Sequence, residues 1–312
     1  LKRAIMRDVS QGGMPFMKMH GLGNDFVVFD ARVDRLDVSP ALVAALADRR
    51  TGIGFDQLAL IEQGIAGVHI RFWNADGSVS SACGNATRCI ARFLMEETGA
   101  DHLTLTTDRG ELAARLVGDV LTSVNMGLPQ LDWDQIPLSQ NVDTLHLPIV
   151  GEPVATGMGN PHCTFFVEDA EAVDLEAFGP QYENHPLYPE RTNVQVASLL
   201  GQDRIRVRVW ERGTGLTLAS GSSSCAVAVA AMRRGLAGRQ TDIVLDGGAL
   251  SIDWREDGVW MTGPTRHVCN GVLTSEFLAD LTQCVRNARH AGSGKPVGTG
   301  KRGEREHLCR NG

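Results

Sequence analysis

The chain has 312 residues, a formal net charge of −7 and seven cysteines. Its length allows a large core and two domains, while the negative charge argues against nucleic acid as a partner. The absence of a Cys-x-x-Cys pair, an export signal and a long apolar run predicts reduced thiols in a cytoplasmic protein without membrane contact.

The first elements are predicted from FMKMHGLGNDFVVFDAR, which begins at Phe16. This sequence predicts two strands joined by a glycine-containing turn at residues 21–24. Ser39-Pro40 then predicts the start of a helix that runs to about Asp48, because proline is tolerated in the first turn. The segment from Gly52 leads into a further strand, which carries Gln57.

The central stretch begins at Ile70 and reads IRFWNADGSVSSACGNATRCIARFLMEE. It predicts a strand, a turn and then a helix from Gly84 to about Glu97, with Cys83 directly before the helix. The start of a helix presents unpaired N–H donors and the positive end of the helix dipole. We therefore expect a lowered pKa for the Cys83 thiol and a chemical role for it.

The same pattern recurs 137 positions later. Residues 70–73 match residues 207–210, and Cys83 falls opposite Ser220. Residues 21–24 likewise match residues 157–160 at a spacing of 136. The repeat predicts an ancient duplication: two mostly β halves, each with one helix, whose sites face each other across an interdomain cleft.

The remaining segments predict mainly strands. A meander is expected up to Gly127, followed by a looser boundary with Pro129 and Pro137. Further strands are predicted at Leu145 to Val150, from Gly157, and over residues 243–254 and 259–268. The N-terminal extension 1–15 and the basic, glycine-rich tail 282–312 are expected to lack order.

Two acid/base groups that approach one carbon from opposite faces can invert its configuration. A thiol suits this task, since its reference pKa of about 8.5 lies near neutral pH. Neutral amides close to the repeated motif favour contact with a ligand, although each one alone fits an ordinary turn. These amides are Asn24, Gln57, Asn74, Asn160 and Asn193.

Charged and histidine side chains extend this site. Glu211 and Arg212 could recognise the ammonium and carboxylate of an amino acid, or form a surface ion pair. His162 either lines the site or packs in the core. We expect no cofactor and no metal, because the chain has no dinucleotide fingerprint, Walker loop or zinc spacing.

The motifs MHGLGNDF, FDQ, FWNADGS with ACGN, GNPH, TN and ERGTG closely resemble those of the diaminopimelate epimerase family. The resemblance covers about residues 16–281. It implies a pyridoxal-independent epimerase that interconverts L,L- and meso-2,6-diaminopimelate, often as a homodimer. It also implies an α/β fold of two pseudo-symmetric domains, each a β-barrel-like sheet around a central helix, formed by residues 16–128 with 270–281 and by residues 129–269.

By resemblance, Cys83 is one catalytic cysteine and His162 and Glu211 lie beside the catalytic pair. The helix starts would hold the reacting carboxylate, and the other matched residues would bind mainly the distal, non-reacting centre of the substrate. The implied substrate-binding residues are Asn24, Gln57, Asn74, Gly84, Asn85, Asn160, Asn193, Glu211, Arg212, Gly221 and Ser222.

The chain departs from the family pattern at the second catalytic position. Ser220 replaces the second cysteine and Ser223 replaces a glycine. A hydroxyl is a much weaker acid than a thiol, so Ser220 predicts reduced turnover. Two alternatives stay open: a lyase like the related hydroxyproline dehydratases, which lack one cysteine, or a catalytically impaired protein that binds diaminopimelate.

Overall fold

The computed structural model describes residues 13–65, 67–80 and 83–281. The predicted tail 282–312 and most of the predicted N-terminal extension lie outside these residues. The boundary of that extension was wrong by two residues, because the first strand already begins at Met14 and pairs along its length with the last strand.

Strands and helices alternate in the same order in both halves of the described chain. The elements of the first half are β1 (Met14–Gly21), β2 (Asn24–Ala31), α1 (Pro40–Ala47), β3 (Gln57–Gly64), β4 (Gly67–Asn74), β5 (Val79–Ser80), α2 (Gly84–Thr98), β6 (His102–Thr107), β7 (Gly110–Val117) and β8 (Leu121–Asn125).

The second half repeats this order and adds one strand and a final helical segment at residues 275–281. Its elements are β9 (Val154–Gly157), β10 (Pro161–Phe166), α3 (Leu175–Glu183), β11 (Asn193–Gly201), β12 (Arg204–Glu211), β13 (Gly215–Thr217), α4 (Gly221–Arg233), β14 (Gln240–Leu245), β15 (Gly248–Arg255), β16 (Gly258–Pro264) and β17 (Arg266–Leu273).

The strand pairing is also repeated. Strands β2 and β3 are parallel, as are β4 and β6, and the equivalent pairs β10–β11 and β12–β14 are parallel too. The two halves are joined by the antiparallel pair β8–β16, and β17 returns to pair with β1. This mixed α/β fold with two related halves confirms the predicted fold class.

Each half wraps its sheet around one helix. In α4 the residues from Ser223 to Ala231 are buried, which explains its series of small and β-branched side chains. Helix α2 is amphipathic and ends at Gly99, whose positive φ of 76° closes the helix in the left-handed conformation. One apolar cluster includes residues of both helices, so the core continues from one half into the other.

One local prediction was wrong and one helix was missed. Residues 145–150 form turns rather than a strand, although Leu147 and Ile149 are buried. Pro148 has no N–H to donate to a strand ladder, and the Leu147 N–H donates to the Pro153 carbonyl at 3.0 Å. Helix α3 was not predicted; its N-cap is Asp174, and Pro180 lies inside it.

Among the described residues, no helix is both long enough and apolar enough to span a bilayer. The division of the chain into two domains at about residue 128, with residues 270–281 assigned to the first domain, remains a prediction.

Candidate active site

The starts of α2 and α4 meet at the junction of the two halves. Cys83 is the N-cap of α2 and Ser220 is the N-cap of α4. A Cβ atom placed on Gly221 would lie 3.7 Å from the Cα of Gly84, so the first turns of the two helices are in contact. The two positions paired in the sequence repeat therefore lie at one site.

Cys83 is a buried thiol in a polar setting. Its Sγ accepts the Ala86 N–H at 3.4 Å, and its S–H donates to the Asn24 Oδ1 at 3.8 Å. The prediction of a lowered pKa was wrong. Burial raises the pKa of Cys83 to about 12, which outweighs the Ala86 N–H, and the nearby Glu211 carboxylate raises it further. Cys83 is thus a protonated thiol near neutral pH.

Ser220 lies beside a carboxylate rather than capping its own helix. It is 6% exposed and makes no side-chain hydrogen bond to the first turn of α4. Its hydroxyl instead lies near the Glu211 carboxylate and acts to lower the pKa of that group. Burial raises the pKa of Glu211, and the charge of Asp56 from the first half acts in the same direction. The strongest base beside Ser220 is therefore a carboxylate with increased proton affinity.

The side-chain amides of the first half form two hydrogen-bonded pairs, Asn85 with Asn24 and Gln57 with Asn74. Asn85 Nδ2 donates to Asn24 Oδ1 at 3.2 Å, and Asn24 Nδ2 donates to Asp56 Oδ2 at 3.0 Å. Gln57 Nε2 donates to Asn74 Oδ1 at 3.0 Å across neighbouring strands. The structure therefore brings Asn24 and Asn85 to Cys83, and it orients Asn74 through Gln57.

Asn193 and Arg212 are joined in the second half. The Arg212 N–H donates to Asn193 Oδ1 at 3.0 Å, while Asn193 Nδ2 donates to the Pro161 carbonyl at 3.0 Å. The Arg212 guanidinium donates to the Glu190 carbonyl at 3.0 Å, and among the described residues it forms no ion pair with Glu211. The charges of Glu211 and Arg212 are therefore not neutralised by each other.

His162 is fully buried and has a defined tautomer. Gln195 Nε2 donates to His162 Nδ1 at 3.0 Å, so the proton lies on Nε2, which donates to Asn160 Oδ1 at 2.9 Å. Burial lowers the pKa of His162 to about 3, and the charges of Arg109 and Arg212 contribute. The ring is neutral and holds Asn160 in place, so it is both packed and linked to the site.

Sequence reasoning missed several residues that support this arrangement. Asp56 holds Asn24, and Gln195 bridges His162 to Ser223 Oγ, both at 3.0 Å. Asp56 lies within the FDQ motif, so the sequence could have indicated its role. Gln195 lies in β11 without any motif around it, so the sequence could not have indicated its contacts. The described residues contain no cluster of three or more His, Cys, Asp or Glu side chains suited to a metal ion.

The site can hold an anion between two helix starts and can act on it from two sides. Backbone N–H groups at both helix starts and the two dipoles favour a carboxylate there. A thiol on one side and a hydroxyl with a carboxylate on the other provide acid/base groups of different kinds. This arrangement suits proton transfer at a carbon next to a carboxylate.

Comparison with known protein families gives a match to the model described as "Diaminopimelate epimerase", over residues 16–131 and 154–268. A diaminopimelate epimerase from Acidiphilium cryptum is 52% identical over 271 residues, which cover 85% of this chain and 98% of that protein. One from Rhodospirillum centenum is 51% identical, with 84% and 93% covered.

Solved structures share the fold at low sequence identity. A PhzF-family phenazine biosynthesis protein from Bacillus anthracis has a TM-score of 0.60 at 13% identity, covering 84% of this chain and 99% of that one. A hydroxyproline epimerase from Agrobacterium vitis, bound to trans-4-OH-L-proline, has a TM-score of 0.58 at 13% identity, with 84% and 93% covered. At this identity the likeness is one of fold alone.

Proposed function

Because this chain belongs to the diaminopimelate epimerase family, we propose that it interconverts L,L- and meso-2,6-diaminopimelate by proton transfer at one α-carbon. The observation that carries this proposal is the contact between two helix starts, with Cys83 and Ser220 as their N-caps. A planar carbanion held between them can lose a proton on one face and gain one on the other.

The proposed binding site divides the substrate into a reacting and a distal centre. The backbone N–H groups of Gly84-Asn85 and Gly221-Ser222 would hold the reacting carboxylate and stabilise its enolate character. The distal centre would be bound by Asn74, Gln57, Asn160, Asn193 and Arg212. Asn24 would orient both Asn85 and Cys83, which fits its hydrogen bonds to these residues.

Proton transfer follows from the states of the two flanking groups. On one face, the Ser220 oxygen takes the α-proton while its own proton passes to the Glu211 carboxylate, so the C–H bond breaks without a free alkoxide. On the other face, the Cys83 S–H bond breaks and its proton forms the new C–H bond. The cycle leaves a thiolate and a carboxylic acid, which exchange protons with water or run the reaction in reverse.

The direct test is proton exchange in deuterated water. The enzyme is incubated with L,L-diaminopimelate, and ¹H NMR and chiral chromatography measure loss of the α-proton and formation of the meso isomer. We expect both, and we expect Cys83→Ala to abolish them. Binding of diaminopimelate without exchange would contradict epimerase activity and identify a binding protein, while loss of water from hydroxyproline to give a ketimine-derived product would identify a lyase.

We also propose that the protein acts in the cytoplasm as a homodimer. The exposed side of β17 supports dimerisation, since the apolar side chains of Val268 and Val272 are 58% and 47% exposed. Light scattering after size-exclusion chromatography tests it, and a mass of one chain at micromolar concentration would contradict it.

A further inference from the structure

Arg88 is a buried cation that has no carboxylate partner in the described part of the chain. It lies on α2 one turn after Gly84 and is 0% exposed. Its Nη1 donates to the Met261 sulfur at 3.2 Å, while Nε and Nη2 have no hydrogen-bond partner among the described residues. Arginine keeps its charge in proteins, and an unpaired buried ion destabilises a fold strongly. Packing alone therefore does not explain this residue.

The position of Arg88 relates it to the site. Met261 forms a layer between the guanidinium and the helix starts. A Cβ atom on Gly84 would lie 2.8 Å from the Met261 Cε, and one on Gly221 would lie 3.1 Å from its sulfur. The charge thus lies one side-chain layer beneath the contact between α2 and α4.

The sequence repeat shows that only the first half carries this buried charge. At the spacing of 137, Arg88 is equivalent to Cys225, so the second half has a neutral side chain where the first half has a cation. The titratable groups that respond to Arg88 are Cys83, Cys89 and Cys225, and the cation lowers the pKa of each. Within residues 13–65, 67–80 and 83–281, no carboxylate is among the groups that act on Arg88.

We propose that Arg88 is an electrostatic positioning residue that stabilises negative charge formed between the helix starts, namely the Cys83 thiolate and the enolate of the bound amino acid. It acts through the Met261 layer and does not touch the substrate. Because Met261 packs against both Gly84 and Gly221, the one charge lies beneath both helix starts. The part of this inference that concerns the enolate rests on the proposed epimerase function.

The test replaces the charge at nearly constant shape with Arg88→Met. The rate of alkylation of Cys83 by iodoacetamide is measured against pH by mass spectrometry of the Cys83 peptide, without substrate. Because the rate follows the thiolate fraction, loss of the cation should lower it about tenfold at each pH between 7 and 9, which corresponds to an upward shift of the profile by about one pH unit. The α-proton exchange rate with diaminopimelate should fall about tenfold over the same pH range.

Stability distinguishes an electrostatic role from a structural one. Removing an unpaired buried charge should leave the melting temperature unchanged or raise it. Arg88→Gln, which is also neutral, should show the same shift, and Arg88→Lys should restore the profile toward wild type. Arg92→Met is the matched control on the same helix, because Arg92 pairs with Glu96 at 2.8 Å and should not alter Cys83.

The outcomes separate this inference from the proposed function. An unshifted alkylation profile in either neutral variant overturns the inference, even if wild-type enzyme epimerises diaminopimelate. A fall in melting temperature with an unchanged profile shows a structural role and also overturns it. A shifted profile in a protein that does not exchange the α-proton supports the charge effect on Cys83 and contradicts the epimerase proposal.

Discussion

Ser220 and Cys83 differ in one atom, and this atom determines how each can move a proton. Cys83 can itself form a thiolate, and burial and Arg88 set the pKa at which it does so. Ser220 instead depends on the Glu211 carboxylate beside it to accept its proton. The two faces of the site are therefore chemically unequal. A hydroxyl that must pass its proton on is a weaker base than a thiolate.

The first prediction concerns Ser220→Cys. A thiol at this N-cap restores a group whose acidity suits the reaction, so α-proton exchange should rise by about 100-fold or more. Exchange into both diaminopimelate isomers, followed by ¹H NMR, measures it. Ser220→Ala is the control and should be slower than wild type. If the cysteine variant is no faster than wild type, Ser220 does not limit the reaction.

The second prediction concerns Glu211→Gln. Burial raises the pKa of Glu211, and a base with a raised pKa loses its function as pH falls through that value. The wild-type rate should therefore fall on the acidic side at a higher pH than an ordinary glutamate would give. The variant should be slower and should lack this acidic limb, whereas Glu190→Gln at the exposed neighbouring position should keep it. If the rate of Glu211→Gln still falls at acidic pH as in wild type, another group causes that fall.

Among the helices and strands, the sequence predicted those whose ends are determined by residues next to them in the chain. Ser39 accepts the Leu42 N–H at 3.2 Å, as its cap pattern indicated, and α2 begins directly after Cys83. Helix α3 was missed because Pro180 interrupts its pattern. Residues 145–150 were wrongly predicted because their alternating apolar residues face a core formed by distant strands.

The same distinction applies to the candidate site. Its paired positions were predicted because the repeat marks them in the sequence. Their supporting partners depend on contacts between distant segments, such as Gln195 with Ser223 and Arg88 with Met261. The pKa of Cys83 could not be predicted for the same reason, since the burial that raises it comes from both halves.

The third prediction concerns α3 and the turn that carries Arg212. Glu183, the last residue of this helix, accepts from Trp210 Nε1 at 2.7 Å, from the Gly213 N–H at 2.9 Å and from Arg191 at 3.1 Å. Glu183→Ala removes these anchors. We expect KM for diaminopimelate to rise about tenfold, equal to about 1.4 kcal/mol, with a smaller change in kcat.

Steady-state kinetics with both isomers measures this effect. Glu176→Ala, at an exposed position in the first turn of the same helix, is the control for general disturbance of α3. Equal KM values for the Glu183 variant and wild type would show that the turn is held without α3.

For the whole molecule, the pairing of β8 with β16 places one helix start from each half at a shared, buried junction. This junction and the cores around the two helices enclose four thiols. Burial raises the pKa of Cys83, Cys163 and Cys225 to about 12 and that of Cys89 to about 11, from 9.0. These shifts connect the architecture with the dependence of stability on pH.

The fourth prediction is a loss of stability at alkaline pH. Unfolded thiols ionise near pH 9 while the folded ones stay protonated, so their contribution is fully present below about pH 9 and is lost as pH rises toward 12. Between pH 9 and 10, each buried thiol should lower the free energy of unfolding by about 1 kcal/mol. Urea unfolding under reducing conditions measures it.

Cys225→Ala should reduce the slope of the free energy of unfolding against pH by about a quarter, whereas Cys269→Ser, at an exposed cysteine, should not. A free energy of unfolding that stays constant over this pH range would contradict the burial of thiols as its cause.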